Sequence, residues 1–234
     1  MRYMIHACPA RLWYVNGYLL PSMLTQGIQR DDIVVWCDWD GVGNLQSFVE
    51  SCRFCGKQPG AGVWHLQDDV VISRHFARHT RAGGGERIVC GFCFPVSDPC
   101  VNFRGENIPT KFIWYSFQCI YIPNTVAGEF AAWFQNEARH RDRYREKVAD
   151  RKHDDWFFRE FLMEKHPDGR VTNLAPNLVD HVDYLIGGTT LSPLRARKVN
   201  RAAYWEEPGL VEELEKQLKE RRTDCDAGVR TSSQ

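Results

Sequence analysis

The chain has no net charge to speak of, because 30 lysines and arginines are matched by 30 aspartates and glutamates over 234 residues. That balance excludes a protein held on nucleic acid by bulk charge, which needs a strong basic excess, though it leaves room for a small basic groove. Long apolar runs are missing too. No stretch approaches the roughly 18 residues that a membrane-spanning helix needs. The opening Met-Arg-Tyr-Met-Ile-His-Ala-Cys-Pro-Ala-Arg is too polar for a secretory leader, so a cytoplasmic protein is expected. No glycine-rich loop with a following lysine is present, which counts against a P-loop enzyme. There is no internal repeat, low-complexity block or Gly-Ser linker.

Cysteine, by contrast, is plentiful, with nine in the chain. Without an export signal a disulfide framework is not expected, and several cysteines lie in apolar runs as small core residues. Cys52/Cys55 and Cys90/Cys93 have the C-x-x-C spacing of paired thiolate ligands for zinc. The two pairs stand far apart for a zinc ribbon. Cys90 and Cys93 also lie in an apparent strand, where that spacing points the thiols to opposite faces. A structural zinc is therefore not the favoured reading.

The first hundred residues alternate strand and helix. Residues 2–7, 32–38, 62–66 and 87–94 read as strands, and 32–38 as a buried one. Residues 13–26, 44–55 and 73–82 read as helices, the first kinked at Pro21. This alternation predicts an α/β fold, with a mostly parallel central sheet flanked by helices. Such sheets bind ligands at the carboxyl ends of their strands. The second half holds a Pro-rich loop at 95–110, an aromatic strand region at 112–122 and helices near 124–136, 138–149 and 155–165. A helix over 208–222 starts at Pro208, with acids early and bases late. A single domain over 1–222 is expected, followed by a disordered tail at 223–234.

Three segments carry the chemistry. In Val63-Trp-His-Leu-Gln-Asp68-Asp69, two acids follow a buried strand. They either bind a divalent cation through oxygen ligands or cap the next helix. His181 lies in a loop between Asp180 and Asp183, and a neighbouring acid is what orients a metal-binding imidazole. Asp154 and Asp155 open an amphipathic helix, either as caps or as a general base. Two weaker features are Arg11, in the turn after the first strand, and the bases Arg195, Arg197, Lys198 and Arg201. Cations of this kind can steady a leaving diphosphate.

In this order the motifs resemble the GT-A glycosyltransferases, over roughly residues 1–190. The similarity is greatest to small members whose C-terminal loop reads Pro-Ser-Leu-Val-x-His, here Pro176-Asn177-Leu178-Val179-Asp180-His181. The chain also looks similar to small glycosyltransferase-like proteins of bacterial viruses, for which the host cytoplasm would be the compartment. The resemblance implies a GT-A-like (Rossmann-like) sheet with an irregular C-terminal acceptor-side region. It also implies a nucleotide-sugar donor and a divalent metal, manganese before magnesium. Gln67-Asp68-Asp69 stands where the family has Asp-x-Asp, and the glutamine is a departure. Asp69 and His181 then become the metal ligands. Ala7, Pro9, Arg11, Asp38 and Asp68 become donor contacts, and Lys198 and Arg201 diphosphate contacts. Asp155, ahead of Asp154, becomes the base of an inverting transfer. The implied acceptor is a glycan, a protein or a modified DNA base. The rival readings are a nucleotidyltransferase-like nucleotide-binding enzyme and a non-catalytic zinc-bearing binding protein.

Overall fold

The computed structural model describes residues 2–81, 83–92, 107–109, 117–174, 177–187 and 207–230. In chain order the elements are β1 (Arg2–Ala7), α1 (Leu12–Tyr14), α2 (Leu20–Thr25), β2 (Ile33–Cys37), α3 (Asn44–Cys55), β3 (Gly62–Gln67), β4 (Val70–Ile72), α4 (Phe76–Thr80), β5 (Ile88–Cys90), β6 (Asn107–Pro109) and β7 (Cys119–Pro123). There follow α5 (Asn124–Asn136), α6 (Arg145–Asp150), α7 (Asp154–Lys165), β8 (Arg170–Asn173), β9 (Val179–His181), α8 (Asp183–Ile186) and α9 (Pro208–Arg230).

Seven strands form one sheet in the order β2-β1-β3-β7-β5-β8-β6. Strands β2, β1, β3, β5 and β8 run one way, while β7 and β6 run against them. The fold is α/β with a mostly parallel sheet. The period-two alternation of each strand divides the core into two layers. Tyr3 and Ile5 of β1, Trp64 and Leu66 of β3, and Cys119 and Tyr121 of β7 face one layer, which α1, α2 and α9 also feed. Met4, Val63, Ile120 and Ile122 face the other, packed by α3, α5 and α7.

Helical periodicity explains that second layer. Leu45, Phe48, Val49 and Cys52 of α3, and Ala127, Phe130, Ala131 and Phe134 of α5, recur at three- and four-residue steps, which puts each set on one buried face. The two helices approach closely because Gly56 and Gly128 meet. A Cβ on Gly56 would lie 2.7 Å from the Gly128 Cα. Phe48 is the hub, with ring centroids 4.8 Å from Phe117, 5.5 Å from Phe130 and 6.0 Å from Phe158. Truncating such a buried ring costs about 3–5 kcal/mol.

Several expectations need correction. The first helical run starts earlier, with a 3-10 turn at Pro9–Arg11, and it passes Pro21 through a π turn. The Leu20 N–H donates to the Val15 carbonyl five residues back, and this widened turn accommodates the proline ring without breaking the run. Strand β2 is not fully buried. It is a sheet edge on which only Ile33 is covered. The helix expected over 73–82 shrinks to α4, Phe76–Thr80, and β4 takes residues 70–72, which carry no expected element. The helix expected near 138–149 is two 3-10 turns followed by α6. Helix α9 spans Pro208–Arg230, where a helix over 208–222 is expected.

Candidate functional site

The site is built at the carboxyl ends of β1, β2 and β3. These three parallel strands are neighbours, so Ala7, Cys37 and Gln67 end side by side. After β3 the chain turns at Asp68–Asp69 and leaves the main sheet. It re-forms as β4, which pairs antiparallel with β9, Val70 standing opposite His181. The Val182 N–H also donates to the Asp69 carbonyl at 2.8 Å. This small second sheet is what carries the imidazole of His181 to the acid pair. The alternative of a helix cap falls away, because the next helix, α4, begins only at Phe76.

Arg11 binds both acids. Its Nη1 lies 2.7 Å from Asp68 Oδ1 and 2.6 Å from Asp69 Oδ2, and its Nε donates to the Gly187 carbonyl at 3.1 Å. The Cys8 N–H donates to Asp68 Oδ2 at 2.8 Å. His181 Nε2 lies 3.1 Å from Asp69 Oδ2, and its Nδ1 lies 3.9 Å from Asp183 Oδ1. Burial pushes the Asp69 carboxyl up, but the His181 and Arg11 cations outweigh it and hold the group at about 2. Burial disfavours a charged His181, yet Asp69 and Asp183 raise it above the ordinary histidine range. Asp68 is raised by burial and by the Asp69 charge, with Arg11 opposing.

Asp69 Oδ1 and both ring nitrogens of His181 are buried without an aligned hydrogen bond. A carboxylate oxygen and an imidazole nitrogen are both donor types that divalent ions take. Among the described residues no group of three His, Cys, Asp or Glu is placed to hold a metal. These two side chains would therefore leave most coordination positions to substrate oxygens and water.

The other candidates divide clearly. Ala7 ends β1, and Pro9 and Arg11 form the 3-10 turn after it. Asp38 follows β2, where both its oxygens are engaged by its own loop, Oδ1 by Val42 N–H and Oδ2 by Gly43 N–H, each at 2.9 Å. Asp154 and Asp155 open α7. His153 occupies the cap position, and no side chain caps the helix. Asp155 Oδ1 accepts the Trp156 N–H at 2.6 Å. Asp154 is buried. Desolvation and the Asp155 charge, with a contribution from Asp69, push it up to about 8. Asp155 is also raised by burial, against the pull of His153 and Lys147. Lys198 and Arg201, Arg195 and Arg197, and the aromatics Trp114 and Tyr115 lie outside the described residues. Phe117 is core. Of the cysteine pairs, Cys52 and Cys55 are buried on α3 and Cys90 on β5, while Cys93 lies outside the described residues.

The sequence reading missed a histidine pair. His6 Nε2 and His65 Nδ1 lie 2.8 Å apart with their rings stacked, both against Phe48. Burial lowers His6 to about 4, and it lowers His65 well below the ordinary range. The signal was available, since each histidine interrupts an apolar strand. Only strand pairing places one against the other.

No family model matches the chain, and no curated protein matches it. Similar solved structures include a putative glucose-1-phosphate thymidylyltransferase from Bacillus anthracis in complex with a sucrose, at 12% identity and TM-score 0.41, covering 85% of this chain and 94% of that one. Another is the inositol-1-phosphate CTP transferase from T. maritima, at 11% identity and TM-score 0.47, covering 94% of this chain and 96% of that one. Among the described residues no helix is long and apolar enough to cross a membrane.

Proposed function

We propose that this chain is a metal-assisted transferase acting on a nucleotide, with a nucleotide sugar as donor and an acceptor hydroxyl as the group that attacks. The observation that carries this reading is the convergence of Arg11, Asp68, Asp69 and His181 at the carboxyl edge of a mostly parallel sheet, where such folds bind ligands. Asp69 and His181 would hold the divalent ion, manganese before magnesium, and that ion would neutralise charge developing on a leaving diphosphate. Arg11 supplies a fixed positive charge beside them. Its guanidinium is held by Asp68, Asp69 and the Gly187 carbonyl, so it is aimed before substrate arrives. The Ala7–Arg11 turn forms the donor-facing wall. Lys198 and Arg201 remain candidates for the diphosphate, and a glycan, a protein or a modified base for the acceptor.

Asp155 would take the proton of the acceptor hydroxyl, with Asp154 holding its own proton beside it. Two adjacent buried carboxyls resist double ionisation, so one stays neutral while the other serves as base. A second reading, nucleotidyl transfer, is favoured by the same protonated Asp154. A phosphate-ester acceptor is already an anion and needs no base.

One experiment tests both. Wild-type protein is screened for thermal stabilisation by nucleoside diphosphates, nucleoside triphosphates and nucleotide sugars, with manganese and with EDTA. Manganese-dependent stabilisation followed by release of a nucleoside diphosphate from a nucleotide sugar supports sugar transfer. Release of pyrophosphate from a triphosphate with a sugar phosphate supports nucleotidyl transfer. No stabilisation by any nucleotide would sink both.

A further inference from the structure

We propose that Trp39 is the platform on which the nucleobase of the bound nucleotide stacks. The inference rests on the reading of the neighbouring site as a nucleotide site. Trp39 is 69% exposed, the most exposed large apolar side chain among the described residues, and it makes no ring contact with any of them. An indole left in water forfeits the burial that normally draws tryptophan inward.

Its surroundings are built rather than loose. The Asp38 N–H donates to the Ala7 carbonyl at 2.9 Å, which ties the loop to the end of β1, and the Trp39 N–H donates to Cys37 O at 3.0 Å. The Asp38 carboxylate clamps the far side of the loop through Val42 and Gly43. Gly43, at φ +89, packs so tightly that a Cβ would fall 2.6 Å from the Arg151 Cβ, and the Leu45 N–H donates to Arg151 O at 3.1 Å. The loop is therefore wedged between the end of β1 and the segment that leads into Asp154 and Asp155.

The strand order sets the direction of the ligand. Strands β3, β1 and β2 are parallel neighbours, so the Asp68–Asp69 turn and Trp39 rise from the same edge. Two strand spacings separate them, about 10 Å. A nucleotide with its phosphates at Arg11 would cross β1 with its ribose and lay its base over β2, at the indole. Both Asp38 oxygens are spent on the loop's own amides, so the loop offers a π face more than a set of hydrogen bonds. Stacking is tolerant of base identity. The ligand class is thus nucleoside diphosphates with little discrimination by this residue.

The test uses full-length wild type, Trp39→Ala and Trp39→Phe, each titrated calorimetrically in manganese with UDP, dTDP, GDP and CDP, and separately with inorganic pyrophosphate. Trp39→Ala should weaken all four nucleotides by about ten- to a hundredfold, and Trp39→Phe should restore most of the loss. Pyrophosphate affinity should stay within about twofold in both variants. Equal nucleotide affinity in Trp39→Ala overturns the proposal, as does an equal loss for pyrophosphate, which would mark a merely structural residue. If wild type binds pyrophosphate but no nucleotide more tightly, Trp39 is no base platform while the anion site stands. If wild type binds neither, the nucleotide reading itself falls and takes this proposal with it.

Discussion

Asp69 and Asp154 belong to two separate Asp-Asp pairs, and the fold shifts their carboxyls in opposite directions. At Asp68–Asp69 the Arg11 guanidinium and the His181 imidazole stand within hydrogen-bonding distance, and Asp69 stays ionised far into acid. At Asp154–Asp155 the buried member meets desolvation, the Asp155 carboxylate and the field of Asp69, and it holds its proton up to about 8. The dipeptide is the same. What differs is which cations the surrounding elements deliver, and burial is unforgiving of a carboxylate that receives none. A carboxylate held ionised by counter-charges suits a cation or a phosphate, whereas a carboxyl kept protonated by burial suits acid–base work.

The strongest way to break this comparison is to remove the charged member. Asp69→Ala should lower metal-dependent turnover by about a thousandfold. It should also destabilise the fold by about 3 kcal/mol, because Arg11 and His181 lose their buried partner. Retained turnover in steady-state assays with manganese would remove Asp69 from the metal. Next in size is Asp155→Ala, which should reduce kcat by about a hundredfold while donor affinity, measured by titration, stays unchanged. A parallel fall in donor affinity would mean that Asp155 contacts the donor and is not the base.

Asp154→Asn should act in the opposite sense, by stabilising the protein. The folded chain keeps the Asp154 proton to about pH 8, whereas the unfolded chain loses it near 3.8. The folded state therefore binds more protons across that window, and wild-type stability falls as pH rises through it. The asparagine has no proton to lose, so its melting temperature should exceed that of wild type at pH 8 by roughly 4–8 °C, or about 2 kcal/mol. The gap should close toward pH 4. A gap that is constant with pH would show that Asp154 is not protonated in the folded state. The smallest effect is expected at the loop joining the two regions. Gly43→Ala must adopt a positive φ and displace Arg151, at a cost of about 1–3 kcal/mol in urea denaturation. A neutral result would mean that the loop is not wedged against the start of α7.

Much of the architecture was legible from local pattern. The strands at β1 and β3 and the helices α3 and α5 coincide with apolar periodicity, and Asp68–Asp69 reads directly as two acids ending a buried strand. Elements with weak local signals were misread. The three-residue β4 is too short to show alternation, so Val70–Ile72 stand in the sequence without an expected element. The edge position of β2 was also hidden, because Val34, Val35 and Trp36 read as core while the sheet leaves them half-covered.

By itself, the sequence determined the alternation of strands and helices and the residue types available for chemistry, because both follow from side-chain character at fixed local spacings. Only the tertiary structure decided their partnerships. The pairing of β4 with β9 sets His181 beside Asp69, and the turn after β1 swings Arg11 onto both acids. The burial of α7 against α3 leaves Asp154 neutral. Each of these is a contact between residues far apart in the chain. Its energy depends on distance and desolvation, which no local spacing encodes.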